Sequence, residues 1–236
     1  MPFNIDLHTH SFFSGDGVSS PEEMIASARR KGLHGFALTD HNTCKGIDYL
    51  IHKGLMREDG LPVDGFLIVP GVEVSTADGH LLCLGIMLPN MKGEPAAEVC
   101  REIHERGGLA VPAHPYDYFR AGIRESVIET LEIDAMEAFN AATTFQTCNT
   151  KAYDYAKRRA LPMTAGSDAH HERALGTAYT VMELEELSLA NVMRQIRCEN
   201  RLVMQPLSRA DKLRKTWNNW MRLRWRRNRK RMREEV

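Results

Sequence analysis

The sequence predicts an α/β protein built on a parallel sheet, open or closed. Three observations carry that reading. Short apolar runs alternate with helical patterns through residues 1–205. Several of the runs are continuously apolar, as in strands covered on both faces. Successive runs then end in His, Asp or Glu, at the strand exits where parallel α/β folds gather their functional groups.

The elements follow in order. "FNIDLH" reads as a strand, and "SPEEMIASARRKG" as a helix with Ser20 as N-cap, Pro21 in the first turn and Gly32 as its stop. "HGFALTD" is a strand, followed by a helix around 46–57. "GFLIVPGVEV" and "HLLCLGIML" are strands, and "EPAAEVCREIHERGG" is a helix that ends at Gly107. "LAVPAHP" is a strand, residues 124–132 a helix, and "DAMEAFN" a strand. Helix 146–160, strands "LPMTAGSDAH" and "TAYTVM", and helix 187–197 complete the series. No internal repeat is visible.

Bulk properties narrow the class. The chain has 236 residues, 43% hydrophobic and 26% charged, enough for one large domain. No apolar run approaches the roughly 18 residues that span a bilayer, and "MPFNIDLH" has no secretory-signal pattern. Five widely spaced cysteines without a CxxC pair point to a reduced, cytoplasmic setting and no disulfide framework. A net charge of zero hides a division: of 31 basic and 31 acidic residues, 12 and 3 fall in 206–236, leaving 19 and 28 in 1–205. Trp217, Trp220 and Trp225 also lie in that stretch. The expected division is therefore a catalytic-size domain over 1–205 and a basic, Trp/Arg-rich helical tail over 206–236. Three readings of the tail stay open: an apolar face docked on the domain, a peripheral helix on an anionic membrane surface, or a nucleic-acid clamp.

The strand exits read "DLHTH", "LTDH", "GVEV", "VPAHP" and "GSDAH", and the loops beside them add further ligand types. His8, His10, Asp16, His41, Glu73, His80, His114, Asp168 and His170 are the candidates. Any one alone reads as a helix cap or a surface residue. Together they include six of the ten histidines, and eight of the nine sit at or just beyond a strand exit; His80 instead opens a strand. Imidazole and carboxylate sites use about four protein ligands or fewer per metal, so nine candidates point to more than one ion. His34, His52 and His104 read as helix-end or surface residues, and His171, beside the cluster, as a substrate contact or proton donor. Phosphate recognition calls for a guanidinium, and Arg120, Arg124 and Arg173 follow two of the exits.

"DLHTHSFFSGDG", "LTDHNT", "GVEVSTADGHLLCLG", "AHP" and "GSDAH" resemble, in order, the motifs of the PHP (polymerase and histidinol phosphatase) family over residues 4–180. The resemblance implies a distorted seven-stranded (β/α)7 TIM-like barrel with two to three divalent ions (Mn, Zn or Fe) at its rim. His8, His10, Glu73 and Asp168 would hold one ion. Glu73 would bridge to a second, held also by His114 and His80, and Asp16, His41 and His170 would hold a third. The implied activity is hydrolysis of a small phosphorylated substrate by metal-activated water. A nucleotide-type phosphomonoester, such as a nucleoside 3′,5′-bisphosphate or a 5′-phosphorylated oligonucleotide end, is favoured over a histidinol-phosphate-like or sugar phosphate. A non-catalytic PHP module is the alternative of another class.

Overall fold

The computed structural model describes residues 1–208 together with 210, 211 and 213. The tail expected over 206–236 therefore lies almost wholly outside the described residues, and its three readings stay open. No helix among the described residues is long and apolar enough to cross a membrane.

Fifteen strands and α-helices follow one another: β1 (Pro2–Thr9), α1 (Pro21–Arg30), β2 (Gly35–Leu38), α2 (Lys45–His52), β3 (Leu67–Thr76), β4 (Gly79–Leu84), α3 (Ala96–Glu105), β5 (Leu109–Pro112), α4 (Glu125–Ile128), β6 (Met136–Asn140), α5 (Gln146–Arg158), β7 (Met163–Gly166), β8 (Ala178–Glu183), α6 (Leu189–Ile196) and β9 (Arg201–Met204). The start of α1 shows why local sequence decides local structure. Ser20 Oγ accepts from Glu23 N at 3.2 Å while Glu23 Oε2 accepts from Ser20 N at 2.8 Å, a reciprocal capping box with Pro21 in the first turn.

The sheet is α/β but mixed, where a parallel one was expected. Seven strands pair in the order β5-β4-β3-β2-β1-β8-β9, and β6-β7 form a separate pair. Only β1-β2, β2-β3 and β6-β7 are parallel. β4 runs antiparallel to both β3 and β5, and β8 antiparallel to both β1 and β9. The larger sheet curls, and the β6-β7 pair spans the gap between β5 and β1 through separate bonds rather than a continuous ladder. Asp134 N donates to Ala110 O at 3.0 Å on one side; Asp168 N donates to His8 O, and His10 N to Ala169 O, at 2.8 Å on the other. Strand β9 was not expected; it is four residues long and only partly buried, too short to show a periodic signal.

Alternation along the strands divides the core. Phe36, Leu38 and Ile68 pack with Met24, Ala28, Ile47 and Leu50 under α1 and α2. Val72, Val74, Leu81 and Cys83 pack with Val99, Cys100 and Ile103 of α3. The opposite faces contribute Ile5, Leu7, Leu67, Val69, Leu82, Leu84, Leu109 and Val111 to a second interior. Glu73 continues the Leu67–Val69 row, and His80 the Leu82–Leu84 row, so both side chains emerge at the top of that interior.

Asp6, fully buried, fastens the chain beneath the rim. Its Oδ1 accepts from Ser167 N at 2.9 Å and His8 N at 3.4 Å, and its Oδ2 from Gly176 N at 2.8 Å. Burial pushes its carboxyl up to about 6, against which these N–H donors act. Asp6→Ala strands two of those donors at close range, so the unfolding free energy of metal-free protein in urea should fall by about 2–5 kcal/mol. A loss under about 0.5 kcal/mol would show that the donors find other partners.

Candidate metal centre

The structure brings all nine candidates of the sequence to one rim. Glu73, 1% exposed, lies at the middle. Its Oε2 is 3.2 Å from His8 Nε2, 3.1 Å from His10 Nε2 and 3.2 Å from His41 Nδ1. Its Oε1 is 2.8 Å from His80 Nδ1 and 3.0 Å from His114 Nε2. Asp168 Oδ1 adds contacts to His10 Nε2 at 3.5 Å and His8 Nε2 at 3.9 Å. A neighbouring group forms around Asp16 Oδ2, which is 3.2 Å from His41 Nε2 and 3.1 Å from His170 Nε2. His41 thus faces both groups, one ring nitrogen to each.

The direction of β4 explains how His80, which opens a strand, joins residues that close theirs. An antiparallel strand begins where its parallel neighbours end. Ser75 and His80 are directly paired, so Glu73 is the diagonal neighbour of His80 on the same face. Two other members sit on left-handed backbone: His114 at φ 31° and Asp168 at φ 51°. Non-glycine residues rarely hold that conformation, and it turns each side chain back over the sheet at the strand exit. Gly166, just before Asp168, has no room for a side chain, because a Cβ there would lie 2.5 Å from His8 Cβ and 2.9 Å from Glu137 Oε1.

The donor set suits a divalent cation. His8 Nδ1 faces Glu137 Oε1 at 2.9 Å, which would keep a ring proton on Nδ1 and leave Nε2 to bind a cation once its own proton is lost. His8 Nε2 lies only 3.1 Å from His10 Nε2 and also faces two carboxylates. Five of the six separations among these four atoms, 3.1–3.9 Å, bracket the roughly 3.4 Å expected between tetrahedral ligands set about 2.1 Å from a metal. His114 Nδ1 is buried and makes no hydrogen bond among the described residues.

Electrostatics tie the members together. Burial alone would lower His8 and His10, but the carboxylates of Glu137, Asp168 and Glu73 hold His8 well above its usual value, and Asp168 and Glu73 raise His10 to about 9. Burial would raise Glu73, yet His41, His8 and His80 hold it well below the usual carboxylate range. Asp16 behaves likewise, its burial outweighed by His170 and His41. His114 is lowered by burial and then by the Arg120 guanidinium.

The arginines separate. Arg120 reaches the cluster: it forms an ion pair with Asp168 and donates to Asn140 Oδ1 at 3.3 Å. Arg124 instead lies over the Tyr118 ring, 5.2 Å from its centroid. Arg173 departs from the expectation altogether, since its largely exposed side chain pairs with adjacent Glu172 at 3.6 Å and its carbonyl accepts from Lys31 Nζ. The tight turn after "GSDAH" sends it outward. His171 is buried beside the cluster, with Nδ1 accepting from Ala174 N at 3.2 Å.

Two residues went unread in the sequence. Glu137 Oε2 also accepts from His114 N at 2.5 Å, so one carboxylate orients two of the imidazoles. Asn140 Nδ2 donates to Glu137 Oε2 at 3.1 Å and Asp168 Oδ2 at 3.2 Å. A register shift in β6 between Glu137 and Phe139 lets residues three apart serve one side. The available signal was a buried-type strand, "DAMEAFN", interrupted by Glu and closed by Asn.

This rim, set on a curled α/β sheet, could hold divalent ions, as a metal-dependent phosphoesterase requires. The comparisons agree. A family model described as PHP-associated matches residues 146–200. An uncharacterized Methanocaldococcus jannaschii protein, MJ1587, is 33% identical over 146 residues, covering 58% of this chain and 81% of its own. A probable phosphatase of Acetivibrio thermocellus is 39% identical over 79 residues, a third of each chain. Among solved structures, a two-domain Bacteroides vulgatus protein, described as containing a predicted PHP-like metal-dependent phosphoesterase, superposes with a TM-score of 0.70 at 19% identity. That superposition covers 92% of this chain and 69% of the other. The chain belongs to the PHP family.

Because His8 and His10 hold protons near pH 7 before a cation arrives, loading the centre must expel them. Calorimetric titration with Mn²⁺ in buffers of different ionisation enthalpy should show at least about one proton released per chain at pH 7. Apparent affinity should rise with pH as the imidazoles deprotonate. Proton-neutral binding across that range would contradict the assignment.

Proposed function

We propose that the protein hydrolyses a phosphomonoester of nucleotide type, such as a nucleoside 3′,5′-bisphosphate or the 5′-phosphorylated end of an oligonucleotide. The observation that carries the hydrolytic reading is the pairing of the Glu73-centred imidazole cluster with the Arg120 guanidinium. His8, His10, Glu73 and Asp168 would hold one divalent ion, Glu73, His80 and His114 a second, and Asp16, His41 and His170 a third. When bound, such ions acidify a water toward neutral pH and offset negative charge on phosphate oxygens.

The chain's own residues supply the rest. Arg120 is held at the edge of the cluster by Asp168 and Asn140, and its planar fork matches two oxygens of a phosphate. Burial would lower its pKa, but Asp168 and Glu73 raise it, so it stays charged throughout the working range. Glu137 fixes the ring of His8 from behind and the backbone of His114, keeping both imidazoles oriented. His171, buried and next to His170 in sequence, is a candidate to deliver a proton to the departing alkoxide.

A phosphate-release screen with Mn²⁺-loaded protein tests this. Nucleotides should exceed histidinol phosphate and sugar phosphates in kcat/KM by at least tenfold, about 1.4 kcal/mol. Arg120→Ala should cost about 10²–10³-fold in kcat/KM with metal content retained, the scale of losing one preorganised charge stabiliser. A preference for amino-alcohol phosphates would overturn the substrate, and absence of turnover with every divalent ion would favour a non-catalytic module.

A further inference from the structure

Beside the metal centre stands an aromatic cluster that the hydrolytic step does not use. Phe119 is 82% exposed, Tyr118 55% and Phe145 54%, among the most exposed large apolar side chains described. Phe119 and Phe145 belong to different loops, the first after β5 and the second after β6. Their rings nevertheless meet edge to face, with centroids 5.9 Å apart at 66°. An edge-to-face pair leaves ring faces uncovered, and the exposure of Phe119 records that.

The meeting of these loops is built in. Asp117, fully buried, accepts from Thr143 Oγ1 at 3.0 Å and Thr144 N at 2.6 Å, and so locks the β5 loop to the β6 loop. The turn carrying Tyr118, Phe119 and Arg120 is also fastened to the centre at both ends. Asp117 N donates to His114 O at 3.2 Å, and His80 N donates to Ala121 O at 2.7 Å. Ala121 closes the turn on left-handed backbone, φ 56°. One residue of this turn, Arg120, points inward to Asp168, while its neighbour Phe119 points to solvent. Their Cα atoms are about 3.8 Å apart. Exposed phenyl rings cost solvation and add nothing to a core, so their fixed position beside a phosphate-gripping guanidinium calls for a ligand with a flat apolar face.

We infer that Phe119 and Phe145 form a stacking subsite for the base of the substrate, which makes the enzyme specific for phosphate esters carrying a purine or pyrimidine. This rests on the nucleotide reading above and adds the residues that select for it. Aromatic rings accept any base because every base has a π face. The subsite therefore confers preference for nucleotides over base-free phosphates without strong preference among bases. Arg124, lying over Tyr118, adds a cation at the margin of the same surface.

The test uses the full-length, Mn²⁺-loaded enzyme with adenosine 3′,5′-bisphosphate and its base-free analogue, ribose 3,5-bisphosphate. Phe119→Ala and Phe145→Ala should each raise KM for the nucleotide by about fivefold to a hundredfold, the range expected on removing one stacking ring. The loss should fall on KM rather than kcat, and Phe119→Tyr should restore it. The KM ratio between the two substrates, large in the native enzyme, should collapse in the alanine variants. If the native enzyme hydrolyses the nucleotide and that ratio is unchanged in both variants, the stacking subsite is overturned and the nucleotide reading stands. If the native enzyme handles both substrates equally, or neither, the nucleotide reading falls and takes the subsite with it.

Discussion

One buried carboxylate organises the rim. Glu73 touches five imidazoles, His8, His10, His41, His80 and His114, from strands or strand exits that are distant in sequence. A carboxylate taken out of water is costly unless it is paired and hydrogen-bonded, and imidazoles so close to one another repel when charged. Cations in place of the imidazole protons would relieve that repulsion. Assembly of the rim and the electrostatics of the candidate site therefore meet at one residue.

The scaffold is shaped by that need. β4 turns back against β3 through a tight hairpin, which brings His80 to the end of the molecule where His8, His41 and His114 already lie. His114 and Asp168 accept left-handed backbone to aim inward, and Gly166 gives up a side chain so that His8 and Glu137 can close over it. Such local costs are borne where surrounding structure over-determines them. Here the hydrogen bonds of Asp6 to Ser167 and Gly176 and of Asp117 to Thr143 and Thr144 supply that support.

Much of this is legible in the sequence, for a physical reason. Ligands at strand exits interrupt apolar runs abruptly, so "DLHTH", "LTDH" and "GSDAH" declare themselves. The α/β class and the cap at Ser20 were legible for the same reason, because each rests on contacts within a few residues. Strand direction rests on pairing between distant segments, so the antiparallel course of β4 and the separate β6-β7 pair were not. Glu137 was hidden by a register shift that breaks the simple alternation, and Arg173 was misplaced because proximity in sequence to His170 says nothing about which way a turn sends a side chain. Nothing in the sequence sets Phe119 and Phe145 apart, because only the meeting of two loops brings their rings together.

The most direct test of the central role of Glu73 is metal content. Native protein and the variants Glu73→Gln and Asp16→Asn would be loaded with Mn²⁺, equilibrated against a weak chelator and analysed for bound ion per chain. Native protein should retain two or three ions, and Asp16→Asn should lose one. Glu73→Gln should lose at least two together, because the carboxylate lies against both His8 and His10 on one side and His80 and His114 on the other. A Glu73→Gln protein that keeps the native complement, or loses no more than Asp16→Asn, would contradict the account.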